Sequence, residues 1–467
     1  LDRIVREGTA FTSAYTPAAE CVPARASLLT GQYTFHTGCY SNGCAMPWDT
    51  RETYMTALGR AGYYSHAVGK CHFTPYNVNH ENHGFDSRER QEELTSRPEY
   101  DEYLQFLWEN GGRHITDPHG VRGEMYYVPQ PAQMSAALHP TQWVGDRASD
   151  FIRQRRTKDQ PWHLFASFIH PHPPFCPPAP WHKLYRDMDL PLPHLPPSAR
   201  DNLLHINRLQ NRYKRRDQGY DMHLVRMQRA YYYAAISFID YQVGRLLAAL
   251  EETGQLDKTL ILFTSDHGEL LGDFFSFGKR SYHDAASRIT LLARHPALFP
   301  AGHRCTTPVS LLDVTTTMLA AAGARFDTHA PDGTDLAALA GAPDADRTVF
   351  SMLNRAESGI YMAINRRWKY VYSAPDQREL LFNRESDPGE TVDLGDVTWD
   401  PVHEPVRALR ERRAALHAVL RAAGETDALD GDDWRQYPRR TMPVNPNAGM
   451  LYQDQPWADQ TIPGYTR

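Results

Sequence analysis

A cysteine stands at the start of a predicted helix in the stretch from Cys21 to Gly31. Pro23 suits the first turn of that helix, where its missing N–H group costs no hydrogen bond. The free N–H groups and the positive dipole at a helix start favour an anion, and Arg25 adds a planar cationic group one turn later. These residues predict a nucleophile that faces a tetrahedral oxyanion, a sulfate or a phosphate.

Polar side chains also follow three predicted strands, at residues 63–68, 162–169 and 259–264. Strands separated by helices indicate a parallel, doubly wound sheet, and such sheets bind ligands beyond the carboxyl ends of their strands. We therefore expect the side chains that follow these strands to share one cleft with Cys21. They are Lys70, His72, His172, Asp266 and His267.

Four segments resemble motifs of the type I sulfatases, which belong to the alkaline phosphatase superfamily. Residues 21–31 match the signature CxPxRxxxLTG, and residues 69–72 match GKxH. Residues 171–174 resemble the family's PHxP segment, and residues 265–269 read SDHGE, like its second metal-binding element. The resemblance implies that Cys21 is oxidised to formylglycine after translation, by a formylglycine-generating enzyme or an anaerobic maturase.

The same resemblance implies a role for each cationic group in the hydrolysis of a sulfate monoester to an alcohol and inorganic sulfate. Arg25 and Lys70 stabilise the formylglycine hydrate, the nucleophile of this family. His72 acts as the base in the step that eliminates sulfate. His172 and Lys279 assist departure of the alcohol.

A divalent metal ion completes the site that the resemblance implies. Its ligands include residue 21, Asp266 and His267, and the ion polarises the sulfate. Oxygen-rich ligation suits calcium, while the imidazole of His267 leaves manganese open. In the sulfatases a preceding strand supplies two further acidic ligands, and this sequence does not contain that strand. We therefore expect either a chain that lacks its N-terminal segment or an incomplete metal site.

Several other residues are weaker candidates. His170 is a candidate for a supporting position beside His172, and three residues after Lys279 are possible substrate contacts: His283, Asp284 and Arg288. The basic run at residues 207–229 is interpreted as a solvated helix face, so no site residue is placed there.

Three alternatives remain open. A phosphatase-type anion-binding loop would need an arginine at the position that Ser27 occupies. A phosphonate monoester or phosphodiester hydrolase could use the same formylglycine, although the pair Lys70 and His72 favours a sulfatase. A metal-deficient relative that only binds sulfated ligands is supported by the absent acidic strand alone.

Composition narrows the class of protein further. The 467 residues are 41% hydrophobic and carry a net charge of −6, which suits a large globular protein and gives no electrostatic case for nucleic acid. The six cysteines show neither metal-finger spacing nor the density of a disulfide framework, although Cys39 and Cys44 could pair. No apolar run approaches the roughly 18 residues of a membrane span, so we expect a soluble protein, cytoplasmic or periplasmic.

The predicted fold is α/β: a large, mostly parallel sheet between helices, with a smaller C-terminal antiparallel sheet and helix. We assign residues 1–345 to the catalytic domain, 346–425 to the C-terminal subdomain and 426–467 to an irregular arm. The loop-rich segment 73–145 is predicted to carry substrate specificity. The expected partner is a small-molecule or saccharide sulfate ester, and the arm is a candidate for contact with a second subunit.

Overall fold

The structure is a computed structural model of the chain. It describes residues 1–44, 51–74, 81–93, 98–122, 125–155, 158–213, 220–344, 346–395 and 402–442. Parts of the loop-rich segment, of the basic run and of the C-terminal arm therefore lie outside the described residues.

Twelve helices occur in the described part of the chain. They are α1 (Asp2–Glu7), α2 (Cys21–Thr30), α3 (Thr34–Thr37), α4 (Tyr54–Arg60), α5 (Glu102–Glu109), α6 (Pro140–Arg155), α7 (His205–Tyr213), α8 (Met222–Glu252), α9 (Asp284–Ser287), α10 (Leu312–Ala322), α11 (Leu336–Gly341) and α12 (Glu404–Ala422). Among these, none combines the length and the apolar character that a membrane crossing requires.

Fifteen strands occur in the same described residues. They are β1 (Thr9–Phe11), β2 (Ala14–Tyr15), β3 (Tyr64–Gly69), β4 (Ser87–Arg90), β5 (Trp162–Ser167), β6 (Ile261–Thr264), β7 (Leu291–Arg294), β8 (His303–Cys305), β9 (Val309–Ser310), β10 (Val349–Leu353), β11 (Ile360–Ile364), β12 (Trp368–Ser373), β13 (Arg378–Asn383), β14 (Leu429–Asp430) and β15 (Asp433–Trp434).

The strands of the first 345 residues confirm the predicted α/β class, with a sheet that is mixed. Parallel pairing joins β3 to β4 and to β5, β1 to β8, and β2 to β9. Strand β7 runs antiparallel to both β6 and β1, which a simple doubly wound sheet would not contain. Helices α6 and α8 pack together over one face, and α10 packs against α2 and α4.

The pairing of β3 with β5 positions the first strand end of the site. Gly69 lies opposite Ser167 and has a φ of 93°. A Cβ atom at Gly69 would lie 2.1 Å from the carbonyl oxygen of Ser167, so only glycine allows the two strands to approach this closely. The chain leaves β3 directly into Lys70, whose backbone N–H donates to the same carbonyl.

A large cavity separates the two main groups of strands. Its volume is about 1170 Å³, and every residue of β5 and of β6 lines it. Both strands are at the edge of their sheets, with no partner among the described residues on the side away from β3 and β7. Their side chains are only partly buried, whereas the residues of β7 are buried.

The C-terminal subdomain is an antiparallel sheet with the strand order β10-β11-β12-β13, as predicted. Leu416 and Leu420 of α12 pack into one hydrophobic cluster with Tyr361 and Tyr370 of the sheet. The first part of the arm continues this core. Trp434 stacks on Tyr372 with ring centroids 4.1 Å apart, so residues 429–434 cover their own subdomain; residues 443–467 lie outside the described residues.

Candidate active site

Cys21 is the first residue of α2 and is fully buried. The helix ends at Thr30 because Gly31 follows in the left-handed conformation, with a φ of 67°. Lys279 Nζ donates to Cys21 Sγ over 2.7 Å, and His267 Nε2 lies 3.2 Å from the same sulfur. Segments far apart in sequence therefore meet at the start of this helix.

The electrostatic environment favours the ionised form of Cys21. Burial raises the pKa of the thiol, but the positive charges of Lys279 and Lys70 and the His267 ring outweigh that effect. The resulting pKa lies well below the usual value for cysteine. The site is thus arranged to stabilise a negative charge at this position.

Arg25, one turn further along α2, connects the other strand ends. Its Nε donates to Asp266 Oδ2 over 2.8 Å. Its Nη1 donates to the carbonyl oxygens of Lys70 and Cys71, at 3.0 and 3.1 Å. Because the guanidinium is planar and has five donors, one side chain can hold both segments in register.

The contacts of His267 define which of its nitrogen atoms can bind a metal ion. Nδ1 lies 2.8 Å from the carbonyl oxygen of Gly268, which only accepts, so Nδ1 carries the proton. Nε2 is left with a lone pair that points at Cys21 Sγ. This pattern, a ring N–H on a carbonyl and the other nitrogen turned inward, is that of a metal ligand.

Three potential ligand atoms gather here, one each from Cys21, Asp266 and His267, all within 4.8 Å of one another. Burial raises the pKa of Asp266, but His267 and Arg25 outweigh it and keep the carboxylate ionised, with a pKa well below its usual value. The donor set fits part of a divalent metal site. Calcium takes six to eight oxygen ligands, so among the described residues the set is incomplete.

His172 faces the same cleft from the loop after β5. Its Nδ1 lies 2.7 Å from Glu93 Oε1 and also 2.7 Å from the carbonyl oxygen of Pro173. Both are acceptors, so Nδ1 holds the proton and Nε2 accepts from Lys279 Nζ over 3.2 Å. The imidazole is therefore fixed in one tautomer, next to the lysine that contacts Cys21.

Glu93 is a functional candidate that the sequence analysis missed. Its side chain is 1% exposed and contacts Lys70 Nζ at 2.9 Å, Arg122 and His172. Burial raises its pKa, but these three groups outweigh that effect and hold the pKa well below the usual value. The only sequence signal was an acidic pair shortly after β4, within a segment interpreted as loops.

Lys70 and His72 both lie at the cleft. Lys70 is 2% exposed and has a raised pKa: burial lowers it, but Glu93 and Cys21 outweigh that effect. His72 has a φ of 45° and hydrogen-bonds Cys21 through its side chain. Burial nevertheless lowers the pKa of His72, so the ring is neutral and suited to accept a proton.

Two of the weaker candidates do not belong to this site. His283 Nδ1 lies 3.2 Å from Glu390 Oε2, and Asp284 forms an ion pair with Lys369 of β12. These contacts join α9 to the C-terminal subdomain, so the expectation that both residues contact the substrate is wrong. Arg288 pairs with Asp284 and is 49% exposed, so it too serves this junction.

The cysteines and the basic run also have defined surroundings. All six cysteines are free, so Cys39 and Cys44 do not form a disulfide. In the basic run, Arg229 pairs with Asp273, and residues 214–219 lie outside the described residues.

Comparison with known proteins places these features in context. A family model described as "Sulfatase" matches residues 1–324. The chain is 31% identical over 440 residues to choline-sulfatase of Rhizobium meliloti, covering 89% of this chain and 81% of that one. It is 27% identical to an arylsulfatase of Clostridium perfringens over 84% of each chain. The crystal structure of a phosphonate monoester hydrolase of Agrobacterium radiobacter is similar, with a TM-score of 0.73, 25% identity and 90% coverage of each chain.

Proposed function

The chain belongs to the sulfatase family of sulfuric ester hydrolases, and from that membership we propose that the site around Cys21 hydrolyses a sulfate monoester to an alcohol and inorganic sulfate. The observation that carries the proposal is the meeting of Cys21 with Lys279, His172 and His267. Cations surround a buried nucleophile position, which suits a substrate that is an anion and a reaction that develops negative charge.

The proposal includes oxidation of Cys21 to formylglycine by a maturation enzyme. The hydrate of formylglycine supplies one hydroxyl group to attack sulfur and a second from which sulfate is later eliminated. In the structure Cys21 Sγ stands where an oxygen atom of that group would be, so its contacts with Lys279 and His267 stand for contacts to that oxygen. The mass of the tryptic peptide that contains residue 21 tests this modification.

His172 and Lys279 are the groups we assign to the departing alcohol. Lys279 Nζ lies between Cys21 Sγ and His172 Nε2, at 2.7 and 3.2 Å. A proton on Lys279 or on His172 Nε2 can pass to the alkoxide, and the bond from Nδ1 to Glu93 stabilises the protonated ring. His72, neutral and adjacent to residue 21, is the group we assign as base for the elimination of sulfate.

A divalent ion would be held by residue 21, Asp266 and His267, and would supply polarisation of the sulfate oxygens and of the attacking hydroxyl group. We propose that the remaining oxygen ligands lie on an extended segment between β5 and β6. The cavity there has an unpaired strand edge on each side among the described residues, and Asp266 lies among its lining residues. Calcium is the proposed ion, with manganese as the alternative.

A phosphonate monoester hydrolase is the second candidate function. The structural similarity to the Agrobacterium radiobacter enzyme favours it. The higher coverage-weighted identity to a choline-sulfatase and the GKxH segment favour a sulfatase. Rates on nitrophenyl sulfate and on a phenyl phosphonate monoester, measured with one preparation, separate the two. We expect the sulfate ester to react faster, and a faster phosphonate reaction would overturn the assignment.

A further inference from the structure

A second cluster of potential metal ligands lies in the loop after β5, apart from the group around Cys21. It consists of His139, directly before α6, with His170 and Cys176. All three side chains are buried, and their ligand atoms lie within 4.8 Å of one another. Nitrogen and sulfur are the ligands that zinc prefers, and calcium does not.

His139 has the tautomer of a metal ligand. The backbone N–H of Thr141 donates to His139 Nδ1 over 3.2 Å, so the ring proton is on Nε2. Nε2 in turn donates to the carbonyl oxygen of Cys176 over 3.2 Å. Metal-binding histidines commonly donate one ring N–H to a carbonyl while the other nitrogen binds the ion. Binding through Nδ1 would exchange the Thr141 N–H for the ion.

His170 and Cys176 are already in contact through the two atoms that a metal would join. Their Nε2 and Sγ atoms are 3.3 Å apart. On the other side of the ring, His170 Nδ1 lies 3.3 Å from Thr141 Oγ1, which can accept its proton. The thiol proton of Cys176 then points at the lone pair of His170 Nε2, in the position that an ion between the two atoms would take.

His119 provides an independent sign that the cluster is incomplete. It is 6% exposed, and both of its ring nitrogen atoms are buried without a hydrogen-bond partner. A Cβ atom on the next residue, Gly120, would lie 3.1 Å from Cys176 Sγ, so this segment packs directly against the cluster. Buried imidazole nitrogens without a partner are costly, and a metal ion nearby would remove part of that cost.

We propose that His139, His170 and Cys176 bind a zinc ion, with His119 as the available fourth ligand. On binding, the S–H bond of Cys176 breaks and its proton passes to the solvent, while bonds form from zinc to Sγ and to the imidazole nitrogens. No electrons are transferred. The ion fastens both ends of the segment 170–176, which carries His172, to the start of α6.

The site has a consequence for His172 that differs from a catalytic role for the metal. Zinc would stiffen the loop that holds His172 between Glu93 and Lys279. The three ligands are positioning residues in this account, because their contacts do not include Cys21 among the described interactions. Their metal content can therefore be measured without reference to turnover.

Cobalt(II) replaces zinc and reports a thiolate ligand through a sulfur-to-metal charge-transfer absorption. The full chain carrying Cys21→Ala has lost the sulfur of the first site, so we expect the band in this variant to come from Cys176. The double variant Cys21→Ala, Cys176→Ser should lose the band. The control Cys21→Ala, Cys305→Ser, which removes another buried thiol, should keep it.

Thermal denaturation gives a second measurement that does not need the double variant to fold. Zinc that binds only the folded chain raises the midpoint. We expect added zinc to raise the midpoint of Cys21→Ala, and to do so less when His119→Ala is added. Absence of the cobalt band in Cys21→Ala, its persistence without Cys176, or no zinc effect on the midpoint would overturn the proposal.

Discussion

Lys279 Nζ donates to Cys21 Sγ over 2.7 Å, although 258 residues separate the two in sequence. The contact joins the loop after β6 to the first residue of α2, the two places where sequence motifs predicted reactive groups. Because Lys279 also contacts His172, it links the nucleophile position to the group assigned to the leaving alcohol. The predictions below follow from this chain of contacts.

Replacement of Lys279 by methionine should lower kcat for a sulfate ester by about 100-fold or more, because a preorganised cation next to the developing charge is lost. The fold should persist, since methionine retains most of the apolar stem. Steady-state rates on nitrophenyl sulfate measure the effect. Lys258→Met, at an exposed position, is the matched control, and an unchanged kcat in the Lys279 variant would refute its role.

Replacement of Glu93 by glutamine should reduce both stability and activity. The change leaves Lys70 and Arg122 buried without their common carboxylate, which costs about 3–5 kcal/mol in comparable buried pairs. It also removes the acceptor that fixes His172. Urea denaturation measures the free energy of unfolding, with Glu99→Gln at an exposed position as control. A loss equal to that of the control would show that Glu93 is not structurally coupled to these cations.

Stability should fall in acid, and Glu93 should account for part of the fall. The pKa of its carboxyl is 4.5 in the unfolded reference and well below that in the folded chain. Its contribution to stability is therefore complete above about pH 4.5 and is lost as the pH falls toward the folded pKa. Unfolding curves between neutral pH and pH 3 should show a smaller acid loss in Glu93→Gln than in the unaltered chain. Equal losses would contradict this linkage.

Calcium should bind weakly to the chain as it stands. Asp266 provides the single carboxylate of the described donor group, and Arg25 competes for one of its oxygens. We expect a dissociation constant of about 10⁻⁴ M or weaker, and no detectable binding in Asp266→Asn. Isothermal titration calorimetry measures both, with Asp159→Asn at an exposed position as control. Sub-micromolar binding by this chain would show that the site has ligands beyond those described.

Much of the fold was predictable from periodicity. The apolar run at residues 162–169 contains β5, and the alternating segments after Arg347 contain β10 to β12 within two residues at each end. The antiparallel direction of β7 was not predictable, because strand direction depends on pairing with β1 and β6, which the local sequence does not encode. The boundaries of the three proposed domains stay predictions.

The site was predictable where chemistry coincides with a motif. Cys21, Lys70, His172, Asp266 and His267 all lie at the cleft. Glu93 was missed because its partners are distant in sequence and only the tertiary fold brings them together.

His283 and Asp284 show the opposite error. Their residue types suited a substrate contact, but Glu390 and Lys369 of the C-terminal subdomain bind them instead. Residue type alone could not distinguish a substrate contact from a junction between two parts of the chain.

The central claim is that residue 21 supplies the nucleophile for sulfate ester hydrolysis, and the most direct test is the rate of sulfate release by Cys21→Ala. We predict that this variant folds like the unaltered chain, as judged by circular dichroism, and releases sulfate only at a trace rate. Cys305→Ala, which alters a buried thiol away from the cleft, should retain activity. Sulfate release by Cys21→Ala at a rate comparable to that of the unaltered chain would contradict the account.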